Sequence, residues 1–70
     1  MTYREYMEQD FPEDLMRLEK IAKETGEKQT FRTGEYQERC EGFMEPKDYY
    51  ERFVYVSPDG EVTGRWVQIY

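Results

Sequence analysis

Between residues 35 and 51 six carboxylates recur at intervals of three or four: Glu35, Glu38, Glu41, Glu45, Asp48 and Glu51. Only Arg39 and Lys47 oppose them, and Tyr36, Phe43, Tyr49 and Tyr50 stand between the charges. Carboxylates so spaced have three chemical uses. A pair such as Glu38 and Glu41 could serve as general acid and base, as glycosidases use two. Oxygen ligands could hold Ca²⁺ or Mg²⁺. A repeating row of negative charge could also imitate a nucleic-acid strand, since three or four helical residues advance about 4.5 to 6 Å, close to the spacing of neighbouring phosphates. A basic groove made for nucleic acid would accept such a row. The plain alternative is a solvated face of an acidic protein, which the same intervals describe.

The rest of the sequence separates these uses. There is no histidine, which removes the usual general base and the commonest transition-metal ligand together. Cys40, the only cysteine, has no histidine partner and reads as a small buried hydrophobe rather than a nucleophile; it can form no internal disulfide. No calcium loop of the D-x-D-x-D-G kind occurs, and Asp59-Gly60 reads as a turn. Neither glycine-rich phosphate-binding motif is present. No catalytic, metal-binding or cofactor-binding residue is therefore assigned, and the chain reads as a non-enzyme. Sixteen acids against ten bases give a formal charge of −6, which opposes direct contact with nucleic acid or an anionic membrane and favours basic partners. The C-terminal third offers Arg52 and Arg65 among four acids, too little cation for a strand of phosphates.

Seventy residues make one domain, 1–70, with a small core. The apolar fraction is low at 37%, but 17% of residues are aromatic, so rings must do much of the burying. Thr2 is placed to cap a short helix to Gln9, with Glu5 three residues on. A second helix begins at Asp10-Phe11-Pro12, with Glu13 and Asp14 in its first turn, and stops at Gly26 after Lys20 and Lys23. Phe11, Leu15, Leu18 and Ala22 form its apolar stripe, widened by Ile21. Residues 29–33 suit a strand around Phe31. The spacing of Tyr36 and Cys40 predicts a further helix over 34–41, ended by Gly42, and Pro46 forces the acidic row to bend between 42 and 46. Residues 49–56 and 61–70 read as a hairpin about Ser57-Pro58-Asp59-Gly60. With Ser57 opposite Glu61, one face carries Tyr49, Phe53, Tyr55, Val67 and Ile69, and the other Tyr50, Arg52, Val54, Val56, Val62, Trp66 and Gln68. Arg52 then stands across from Trp66.

The expected fold is α+β: N-terminal helices packed on a C-terminal antiparallel β-hairpin, which residues near Phe31 can extend to a three-stranded sheet. The Phe53 face is expected to meet the helix stripe. The Val54 face then needs another cover: the helix at 34–41, the N-terminal helix, a third strand or a second copy. The expected function is that of a non-enzymatic binding protein inhibiting or regulating a basic, nucleic-acid-handling protein partner. Glu35, Glu38, Glu41, Glu45, Asp48 and Glu51 supply attraction, and Tyr36, Tyr50 and Trp66 the anchors. In size and charge alone the chain resembles small acidic inhibitors of phages and mobile elements, anti-restriction and anti-CRISPR proteins among them. The rival expectation is a homodimeric structural or regulatory subunit built on Val54, Val56, Val62 and Trp66. The lone cysteine and the charged first ten residues suggest a cytoplasmic setting, as monomer or homodimer.

Overall fold

The computed structural model describes residues 1–39 and 48–70. Two helices, α1 (Tyr3–Asp10) and α2 (Pro12–Thr25), precede three strands, β1 (Gln29–Arg39), β2 (Asp48–Val56) and β3 (Val62–Gln68). The helix boundaries follow from local chemistry. Thr2 caps α1, its hydroxyl oxygen accepting the Glu5 N–H at 3.2 Å. Phe11 forms the corner between the helices, and Pro12 opens α2 where its missing N–H costs nothing. Gly26 ends α2 at φ 72°, its N–H donating to the Ala22 carbonyl at 2.8 Å. Arg4 fastens α1 on two sides. It pairs with Glu19 of α2 at 3.1 Å and donates to the Gly60 carbonyl in the β2–β3 turn.

The strands form one antiparallel sheet in the order β1-β2-β3. The β2–β3 hairpin has the expected register: Val56 faces Val62 and Arg52 faces Trp66. Its turn closes through the Ser57 N–H to Glu61 at 2.9 Å and the Gly60 N–H to Ser57 at 3.0 Å, with Gly60 at φ 90°. β1 departs from the sequence reading. Residues 34–39 continue the strand and do not begin a helix; Cys40, Glu41 and Gly42, and with them the expected bend to Pro46, lie outside the described residues. The reason is pairing with β2, which residues 36–39 continue beyond a bulge that Gly34 accommodates at φ 76°. Arg32 faces Phe53 and Tyr36 faces Glu51, so Thr33, Gly34 and Glu35 together oppose Arg52 in a bulge.

Both helices lie on the Val54 face of the sheet, reversing the expected packing. Met7, Leu15, Leu18, Val54 and Val56 form the buried cluster, with Tyr3, Tyr6, Phe11, Phe31 and Val62 packed around it. Val54 and Val56 are 0% exposed. Each such side chain contributes about 1.5–3 kcal/mol by leaving water. The choice of face follows from composition. The Val54 face offers valines and Phe31 at successive inward positions, whereas the Phe53 face also carries Glu51, Arg32 and Arg65, whose charges resist a helix stripe. The surface on which the homodimer expectation rested is thus covered at Val54 and Val56 from within the chain. No helix among the described residues is long and apolar enough to cross a membrane.

Candidate functional site

The described members of the acidic row, Glu35, Glu38, Asp48 and Glu51, lie on a β ribbon and not on a helix, and this changes their geometry. In a strand, side chains alternate between faces, so an interval of three, as from Glu35 to Glu38 and from Asp48 to Glu51, sends successive acids to opposite sides. Glu35 points to the helix face. Its carboxylate accepts the Tyr6 hydroxyl at 3.0 Å and lies 3.4 Å from Arg52. Burial and the neighbouring Glu35 carboxylate push the Tyr6 hydroxyl above its ordinary pKa. Arg52 in turn has the rings of Trp66, Tyr6 and Tyr3 at 4.9, 5.0 and 5.8 Å. Its Nε is buried without a hydrogen-bond partner, so the rings carry that edge of the guanidinium. Trp66 is consequently a half-buried part of this cage.

Glu51 points the other way, to the open face, yet it is only 1% exposed. Arg32 covers it, donating through Nε at 3.1 Å and through Nη2, while the Gly34 N–H donates to the second oxygen at 3.3 Å. The Arg32 hydrogen bonds hold the Glu51 carboxyl below the usual carboxylate range, with the Gly34 N–H adding to them. Arg32 is itself 61% exposed, so the carboxylate sits under a single layer of side chain rather than in a dry core. Glu51 is therefore a structural acid that pins the bulge, and its charge is spent on Arg32.

The remaining positions sort by face. Tyr36, Glu38 and Tyr49 share the open face, since Tyr36 faces Glu51 and Glu38 faces Tyr49. Tyr36 is 61% and Tyr49 39% exposed, and Tyr70 stacks edge-on to Tyr49 at 6.0 Å. Tyr50 and Asp48 lie on the opposite side of the ribbon. Tyr50 is half-buried beneath Arg39, 5.4 Å from its ring, and Asp48 accepts from Gln68 at 3.3 Å. Glu41 and Glu45 are outside the described residues. The structure thus brings Tyr36, Glu38 and Tyr49 together at the far end of the β1–β2 ribbon, with Glu35 and Asp48 behind them. It separates off Trp66 and withdraws Glu51.

The sequence reading missed the other half of the open face. Lys28, Arg32 and Arg65 gather around Phe53 and Tyr55, with Arg32 5.3 Å from the Phe53 ring and Lys28 and Arg65 at 5.9 and 5.6 Å from that of Tyr55. The signal was the alternation Phe31-Arg32-Thr33 once β1 is read as a strand, because Arg32 then joins Arg65 on one side of the sheet. Among the described residues no group of three metal-ligating side chains comes together. The described residues of the site can attract a cation and stack against a flat surface. No known family model, curated protein or solved structure matches the chain.

Proposed function

We propose that the chain is a non-enzymatic binding protein that engages a basic protein partner through the far end of its β1–β2 ribbon. The observation that carries this reading is the exposure of Tyr36 and Tyr49 on one face beside Glu38. Tyrosines give large, rigid contact area with little rotamer cost, and carboxylates around them steer a cationic surface and fix its register. The segment from 35 to 51 holds six acids and two bases. Glu51 is paired with Arg32 and Glu35 with Arg52, so the attraction comes from the segment's net negative charge, to which Glu38, Glu41, Glu45 and Asp48 contribute. Tyr36 and Tyr49 replace Tyr50 and Trp66 as the anchors, because the latter two are already engaged by Arg39 and Arg52. A partner that handles nucleic acid suits the charge pattern, since its basic groove is built for rows of anions. Inhibition of such a partner, as by phage or mobile-element proteins of similar size and charge, is the sharpest form of the proposal.

Affinity capture from the source cell, followed by identification of the retained proteins, tests this. The reading expects basic proteins to be retained at low salt and lost at high salt, and to be lost at low salt when Glu38 and Asp48 are both changed to Lys. Retention of the same proteins by the doubly reversed chain would refute it.

A further inference from the structure

The basic half of the open face carries an independent inference. A shallow depression of about 400 Å³ is lined by Lys28, Tyr55, Thr63, Gly64 and Arg65. The register places Thr63 directly across from Tyr55 on the same face, and Arg65 one step along β3. The Arg65 Nε donates to the Tyr55 hydroxyl at 3.1 Å, which holds the guanidinium beside that ring and uses none of its Nη donors. Lys28 approaches the same ring from the β1 side. Among the described residues neither Lys28 nor Arg65 forms an ion pair with a carboxylate, whereas Arg4, Arg17, Arg32 and Arg52 all do. Among the described residues Lys20 and Lys23 form none either, so what marks Lys28 and Arg65 is that they line one depression together with Thr63.

We infer that this depression binds a phosphate-bearing small anion, with Arg65 and Lys28 supplying charge and the Thr63 hydroxyl a further donor. A guanidinium matches two phosphate oxygens at once, and an ammonium adds a compact charge that follows the third. Pre-positioning of Arg65 by Tyr55 lowers the ordering cost of binding. An open depression of this kind gives an affinity on the order of millimolar. Phosphate could arrive free or on a nucleotide, and the chemistry that recognises it is the same.

The test is a titration of the isotope-labelled chain by NMR with sodium phosphate, with 5′-AMP, with oligothymidylate, and with sodium chloride at matched ionic strength. Saturating shifts at Lys28, Tyr55, Thr63 and the Arg65 side chain, absent in chloride, are the expected result. They should weaken about tenfold in Lys28→Gln/Arg65→Gln and persist in Lys28→Arg, with circular dichroism confirming the fold of each variant. Tighter binding of AMP than of phosphate assigns the nucleotide as source, and equal binding assigns free phosphate. Shifts that do not saturate, or that chloride reproduces, overturn the inference. So does oligothymidylate binding far tighter than AMP, because the face would then be a nucleic-acid surface.

Discussion

Adding one methyl group at Gly64 should lower the melting temperature measurably, and removing an aromatic ring elsewhere in the chain should reverse the effect. Gly64 sits in β3 opposite Val54, and a Cβ built there would lie 2.3, 2.5 and 2.6 Å from Cε1, Cδ1 and Cζ of Tyr3. Those distances are far inside van der Waals contact, so the Tyr3 ring must leave the sheet. Its departure takes one wall from the Arg52 cage and loosens α1, whose Met7 is fully buried. Forced overpacking of this kind costs about 1–3 kcal/mol. A domain of this size has roughly 4–10 kcal/mol in total, at about 0.05–0.15 kcal/mol per residue. The melting temperature of Gly64→Ala should therefore fall by roughly 5–20 °C, taking about 4–8 °C per kcal/mol. In a Tyr3→Ala background the new Cβ meets no ring. There the same substitution should be neutral or stabilising by up to about 0.5–1 kcal/mol, because glycine in a strand interior is entropically unfavourable. Thermal and urea unfolding followed by circular dichroism and Trp66 fluorescence would close this double-mutant cycle. A Gly64→Ala protein as stable as the parent, or an equal loss with and without Tyr3, would refute the placement of α1 on the Val54 face.

Two pH effects follow from the site. Glu51 is held below the usual carboxylate range in the folded chain, chiefly by Arg32, so the unfolded state binds its proton more readily. That contribution is complete above the unfolded value, about 4.3, and is lost as pH falls through the lower folded value. Glu51→Gln should lower the melting temperature at neutral pH and converge with the parent in acid; parallel curves would exclude the pair as a source of acid sensitivity. Tyr6 shifts the opposite way, raised by burial and by Glu35, so its contribution is present below its ordinary pKa of about 10 and lost as pH rises through the folded value. Absorbance titration of the tyrosines should show a late phase that Tyr6→Phe removes, and a titration unchanged by that variant would count against the Tyr6–Glu35 hydrogen bond.

The helices and the hairpin were legible because each is set by neighbours in sequence. Thr2, Pro12 and Gly26 mark helix ends whatever lies beyond them, and Ser57 to Gly60 fix a register that carries Arg52 to Trp66. The third strand was half legible. Phe31 pointed to it, but Tyr36 and Cys40 four residues apart satisfy helical spacing equally well, and only pairing with β2 decides for a strand with a bulge through residue 39. The packing face was misread because it depends on tertiary context. Arg32, distant in sequence, joins the Phe53 face and makes it polar, a fact invisible within the hairpin alone. The same dependence reshaped the acidic row. Alternation along the ribbon divides its described charges between faces, and Glu51 is committed to Arg32.

The central claim is that the acidic, tyrosine-bearing end of the ribbon binds a basic protein. The most direct measurement is the affinity of the captured partner, once purified, for the parent chain, for Glu38→Lys/Asp48→Lys and for Tyr36→Ala/Tyr49→Ala, each across a range of salt. Neither pair holds the core, so folded variants are expected. The double reversal takes the segment's formal charge from −4 to 0. It should weaken binding at least about a hundredfold at low salt, a loss near 2.8 kcal/mol, and flatten the salt dependence. The tyrosine pair should weaken binding to a similar degree at every salt concentration, as buried anchors do. Affinity unchanged by both pairs of substitutions would contradict the account.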